Sequence, residues 1–200
     1  MLGKKLILLF ILIQCSGQLY CQTIDEKWDL FSEAYNNDNH EIITRYGYDI
    51  LLDYEKQIGR DTVYANISSN IAYSWGYLGD YNKAKDLNEQ ALIIRESVFG
   101  KKHPDYALSL SNLADNYSNL GNDNKAKELN EQALLIREAA YGKNHPNYAK
   151  SLNNLATNYS NLGDDYKAKE LNEQALLIYE ESYGKNHPYY ALGLSTLAMN

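Results

Sequence analysis

Between positions 103 and 144 the apolar and small side chains fall at Ala107, Leu110, Leu113, Ala114, Tyr117 and Leu120. Intervals of three and four residues put them on one face of a helix. Pro104 suits the first turn of that helix, where its missing N–H costs nothing. Gly121 ends the pattern, and Asn122-Asp123 form a turn and cap the next helix. A second run, Ala126, Leu129, Ala133, Ile136 and Ala140, stops at Tyr141-Gly142-Lys143-Asn144, with Gly142 placed for the left-handed conformation of a helix end. The segment reads as two antiparallel helices of roughly 16 to 18 residues each, joined by tight turns.

The pattern recurs. His103-Pro104, His145-Pro146 and His187-Pro188 are spaced 42 residues apart, and segments 103–144 and 145–186 agree at 33 of 42 positions. The helix marks return as Leu152, Leu155, Ala156, Tyr159, Gly163, Ala168, Leu171 and Ala175, and earlier as Ile71, Ala72, Trp75, Leu78, Gly79, Ala84, Leu87 and Ala91. A fixed period in this range means one supersecondary unit stacked on itself, each copy covering its neighbour's apolar face. The expected organisation is repeats at 61–102, 103–144 and 145–186, a truncated fourth at 187–200, and a degenerate helical hairpin at 22–60 as the cap. In that cap Trp28, Leu30, Phe31, Ala34 and Tyr35 mark one helix, 36–39 a turn, and Ile42 to Ile58 another. Because position 200 falls within the first helix of a unit, the chain is expected to be a fragment of a longer product.

The first 21 residues are a different text. Lys4 and Lys5 precede an unbroken apolar run, 6–13, and a short polar stretch, the order of a secretory signal peptide. The run is too short for an anchor, which takes about 20 residues. Cleavage is expected after residue 17 or 21. Cys15 and Cys21 lie in this leader, so the mature chain is expected to hold no internal disulfide. The expected destination is periplasmic or extracellular, in a bacterium, with no membrane insertion after cleavage. Net charge is −7, or −9 without the leader, and no basic block interrupts it. Such a surface disfavours nucleic acid and anionic lipid as partners.

The order Leu-Ala…Tyr…Leu-Gly-x-x-x-x-Ala…Ala over 113–133 resembles the tetratricopeptide repeat. The 42-residue period with its His-Pro-x-Tyr-Ala start resembles the subclass of kinesin light chains and many bacterial repeat proteins. The resemblance covers about 61–200 and implies an all-α fold, a right-handed α-solenoid of antiparallel helix hairpins. Two features depart from the pattern. Asn88, Asn130 and Asn172 replace a customary aromatic, and Tyr73, Asp115 and Thr157 stand where peptide-clamping members carry Asn.

The resemblance also implies that the first helix of each unit lines the concave side, formed by Asn66, Ser69, Tyr73, Tyr77, Ser111, Asn112, Asp115, Asn119, Asn153, Asn154, Thr157 and Asn161. Amides offer both a donor and an acceptor, so a ladder of them suits an extended peptide backbone. They equally suit the polar lining that any soluble concave face needs. His103, His145 and His187 recur one per unit with no second ligand type, which favours a helix-entry role over metal binding. Glu131 with Glu138, and Glu173 with Glu180, share a helix face but recur as solvated repeat text. No nucleophile, phosphate loop or metal motif stands out, so no catalytic residue, metal or cofactor is expected. The expected function is a non-catalytic scaffold of an exported protein, binding a protein or peptide segment in its concave groove. The alternative is the sensory or scaffolding arm of a longer enzyme, a caspase-like protease or signalling kinase, with its catalytic domain beyond residue 200.

Overall fold

A computed structural model describes residues 23–198. The expected leader, with Cys15, Cys21 and both expected cleavage positions, lies outside the described residues. Within them the chain forms α1 (Ile24–Asn36), α2 (His40–Gln57), α3 (Thr62–Tyr77), α4 (Tyr81–Phe99), α5 (Pro104–Asn119), α6 (Asp123–Tyr141), α7 (Pro146–Asn161), α8 (Asp165–Tyr183) and α9 (Pro188–Ala198). No strand occurs among the described residues, and no helix there is long and apolar enough to cross a membrane. The helices pair as consecutive hairpins stacked into a right-handed α-solenoid. First helices α3, α5 and α7 have 16 residues and second helices α4, α6 and α8 have 19.

Local chemistry sets the ends. Gly121 takes φ 78°, and the amide of Asn122 donates to Tyr117 O at 2.8 Å while that of Gly121 donates to Ser118 O at 2.9 Å. This is a Schellman close, which needs a residue without Cβ. Asn122 then caps α6 by accepting from the Lys125 amide. Gly142 also has positive φ, but at φ 82° and ψ 166° it lies outside the left-handed helical well expected of it, in a region open essentially to glycine alone. The histidines stand at helix entry: Nδ1 of His103 and of His145 accepts the amide of Asp105 and of Asn147, each at 3.1 Å. Each ring stacks on the aromatic that ends the preceding helix, Phe99 at 4.4 Å and Tyr141 at 4.6 Å between centroids.

Among the described residues the core is serial, in three apolar clusters. Ala72, Ala114 and Ala156 on first helices, and Ala84, Ala126 and Ala168 on second helices, are fully enclosed and let the helices approach closely. Ala140 does not join them and is exposed; the buried face of α6 continues instead through Arg137. First helices touch each other, α3 with α5 and α5 with α7, and approach more closely than the second helices do. The array therefore closes on the first-helix side, and that face is concave.

Candidate interaction groove

Four positions of each first helix, spaced by four, three and four residues, open onto the concave face. They are Asn66, Asn70, Tyr73 and Tyr77 on α3; Leu108, Asn112, Asp115 and Asn119 on α5; Lys150, Asn154, Thr157 and Asn161 on α7. Nine of the twelve sequence-predicted groove residues belong to this stripe. Of the other three, Ser69 is half-buried and still lines the depression between α3 and α5, while Ser111 and Asn153 are buried. All three lie four residues past Ala65, Ala107 and Ala149 and three before Ala72, Ala114 and Ala156. Asn70, Leu108 and Lys150 were missed; helical spacing from Tyr73, Asp115 and Thr157 finds all three.

Ser69 and Ser111 are engaged in a buried polar floor. Nη1 of Arg137 donates to Ser111 Oγ at 3.1 Å and to Ser151 Oγ at 2.6 Å, joining α5 and α7 through a guanidinium that is 5% exposed. Arg95 does the same one unit earlier, donating to Ser69, Ser109 and the Asn66 side-chain carbonyl. Burial lowers both arginines from their usual range, opposed by Asp105 near Arg95 and by Tyr141, Asp115 and Tyr179 near Arg137. Beside them Asn88 donates to Asn116, and Asn130 to Asn158, both at 2.7 Å. These are the Asn positions that depart from the resembled pattern. Each replaces an apolar contact by a directional one between neighbouring units.

Over this floor the two seams differ. Between α5 and α7, Asn161 Nδ2 donates to Ser118 Oγ and Asp123 Oδ1, both at 2.9 Å, and bridges the helices. One unit earlier Gly76 and Tyr81 replace Ser118 and Asp123. Asn119 therefore finds no such partner and bonds back to Asp115 O on its own helix at 2.8 Å. The seam between α3 and α5 stays open as a depression of about 290 Å3, lined by Tyr73, Tyr77, Tyr81, Asn112, Asp115 and Asn119 over Asn88 and Asn116. Tyr73 and Tyr77 are 67% and 71% exposed and rest against the His40 ring, with centroids 5.6 and 4.1 Å away. Asp115 is an exposed residue, yet the neighbouring walls crowd its carboxyl, and this desolvation pushes it up to about 6, against the pull of Lys150 and Arg137.

The remaining stripe residues sort by what they already hold. Asn66 is bound by Arg95, Asn161 bridges its seam, and Thr157 donates to its own backbone at Asn153 O. Among the described residues the side chains of Asn70, Asn112 and Asn154, at one-unit intervals, have no hydrogen-bond partner in the protein.

A sequence model of the Tetratricopeptide repeat family matches residues 63–139, 113–176 and 149–200. No curated protein matches the chain significantly. Among solved structures, a Podosopora anserina protein described as a kinesin light chain with nearly identical TPR-like repeats is 23% identical, with TM-score 0.69, covering 88% of this chain and 84% of that one. BtubC from P. vanneervenii is 20% identical with TM-score 0.71, covering 88% and 70%. The apo form of RapI is 17% identical with TM-score 0.72, covering 87% and 62%. At these identities the likeness is one of fold.

Proposed function

The chain belongs to the tetratricopeptide repeat family, whose fold is generally a non-catalytic protein-interaction scaffold, and from that premise we propose that it binds an extended segment of a partner protein along its concave groove. The observation that carries this reading is the pair Asn112 and Asn154. They repeat at the interval of the units, face the groove, and have no hydrogen-bond partner among the described residues. Such amides meet the alternating donors and acceptors of an extended backbone. The outer helices carry instead solvated ion pairs such as Lys143 with Glu138 and Lys185 with Glu180, which contribute little to specific recognition. Export is part of the proposal and rests on the charged and apolar order of residues 4–13.

The test is capture of partners from the envelope fraction of the native host. Asn112→Ala with Asn154→Ala should weaken capture by one to two decades, about 1 kcal/mol for each lost hydrogen bond. Glu131→Lys on the outer face should leave it nearly unchanged. Loss of the partner in the outer-face variant, with retention in the Asn pair, would sink the groove reading. Mass spectrometry of the protein from that fraction should find an N-terminus at Gln18 or Gln22; an uncleaved Met1 there would remove export.

A further inference from the structure

The open seam joins three features that the closed seam does not. Its wall on α3 is aromatic, with Tyr73 and Tyr77 exposed and both rings packed against His40. Its opposite wall holds Asp115, whose carboxylate has neither hydrogen bond nor ion pair among the described residues. Its volume of about 290 Å3 accommodates a single long side chain. In the closed seam the positions of Tyr73, Tyr77, Tyr81 and Asp115 are taken by Asp115, Asn119, Asp123 and Thr157, and Asn161 spans the space.

These features select by charge. A ring face and a carboxylate both attract a cation, while an aliphatic stem lies well on tyrosine rings. An anionic side chain would meet both repulsively. A purely aliphatic one would bury the Asp115 carboxylate further without pairing it, which is costly. Lys150 and Arg137 oppose the selection through their field, but Arg137 is held by Ser111 and Ser151, and neither forms an ion pair with Asp115. The net charge of −7 draws basic segments towards the molecule at longer range.

Resting on the groove reading, the geometry points to a lysine or arginine side chain of the partner segment as the occupant of the open seam. Its stem lies between Tyr73 and Tyr77, and its cation reaches Asp115. The backbone around it runs along the groove towards Asn112 and Asn154.

The intact array is titrated with three capped peptides, Gly-Ser-Xaa-Ser-Gly, in which Xaa is lysine, norleucine or glutamate, and tyrosine ring signals are followed by NMR. The lysine peptide should bind about tenfold more tightly than norleucine, with glutamate weakest. Asp115→Asn should abolish the lysine preference, and Tyr77→Ala should weaken lysine binding severalfold; circular dichroism confirms that both variants remain folded. Equal binding of lysine and norleucine overturns the inference. So does a lysine preference that survives Asp115→Asn, or the absence of binding by every peptide. Envelope capture that depends on Asn112 and Asn154 but is indifferent to Asp115→Asn discards the basic occupant and keeps the groove. A lysine preference lost in Asp115→Asn, with capture indifferent to Asn154→Ala, retains the pocket and discards the amide ladder.

Discussion

The seam between α3 and α5 and the seam between α5 and α7 rest on the same floor, an arginine held by serines beside an Asn–Asn pair. At the groove side they part. Ser118 and Asp123 give Asn161 two acceptors and close one seam, while Gly76 and Tyr81 leave Asn119 without them and keep the other open. Stacking and recognition are thus written at different positions of the same repeat. The floor positions face the neighbouring unit and carry the same chemistry in both seams. The lip positions add at most one bridge, that of Asn161, so they can change while the floor still holds the units together.

Breaking the floor should have the largest effect and should not distinguish the seams. Arg137→Ala removes a charged donor from Ser111 and Ser151 and leaves a cavity between units, at a cost of about 2–4 kcal/mol. Arg95→Ala should cost a similar amount. Urea unfolding followed by circular dichroism measures both. A loss below about 0.5 kcal/mol in either variant would show that the guanidinium is not what holds its seam. Arg137→Met, which keeps most of the volume, should recover part of the loss.

Much of this was legible in the sequence, and the failures have a common cause. Helices, turns and hairpin order follow from spacing, because Gly121, Asn122 and Pro104 act locally. The Asn at 88 and 130 stood out only as a departure, since its partner lies 28 residues away in the next unit. Ala140 looked like core and Arg137 did not, because an apolar criterion passes over a buried cation whose serine partners lie on two other helices. The same blind spot placed Ser111 and Asn153, which are buried, among the groove residues. At the last described seam the substitutions run together. Tyr179 replaces the arginine, and Gly193 replaces the serine that Arg95 and Arg137 find 14 residues on. A Cβ on Gly193 would meet Leu176 Cδ1 at 3.0 Å and Tyr179 Cδ2 at 3.6 Å, so the glycine makes room where the ring displaced the guanidinium. Asn153 Oδ1, which the arginine would have served, is buried without a donor.

Lip residues should separate the seams more gently. Asn161→Ala removes a bridge between two units and should cost about 1 kcal/mol. Asn119→Ala, at the equivalent position of the open seam, removes only a bond within its own helix and should stay within about 0.5 kcal/mol of the parent. Equal losses in thermal unfolding would erase the distinction between open and closed seams. Replacing Gly76 by Ser together with Tyr81→Asp transplants the closed lip, and should give Asn119 its bridge and cost the lysine peptide its binding.

The smallest effect concerns Asp115 and depends on pH. Desolvation raises its carboxyl to about 6 in the folded array, above the usual value near ~3.9 in an unfolded chain. A raised acid binds its proton more tightly when folded, so its ionisation destabilises the fold as pH climbs through that folded value. Lys150 and Arg137 face the carboxyl from α7 and α6 and offset part of the penalty, while the open seam presents the rings of Tyr73, Tyr77 and Tyr81, with His40 against the first two. Because the group still touches water, screening holds the effect to about 1 kcal/mol or less. Asp115→Asn should therefore be slightly more stable than the parent at pH 7.5. The advantage should shrink as pH falls through 6 and vanish near pH 4, where the parent carboxyl is protonated in the folded array. Urea unfolding of both proteins across that range measures the difference. A pH-independent difference would mean that the carboxyl is not desolvated in the groove, and with it would go the electrostatic contrast between the seams.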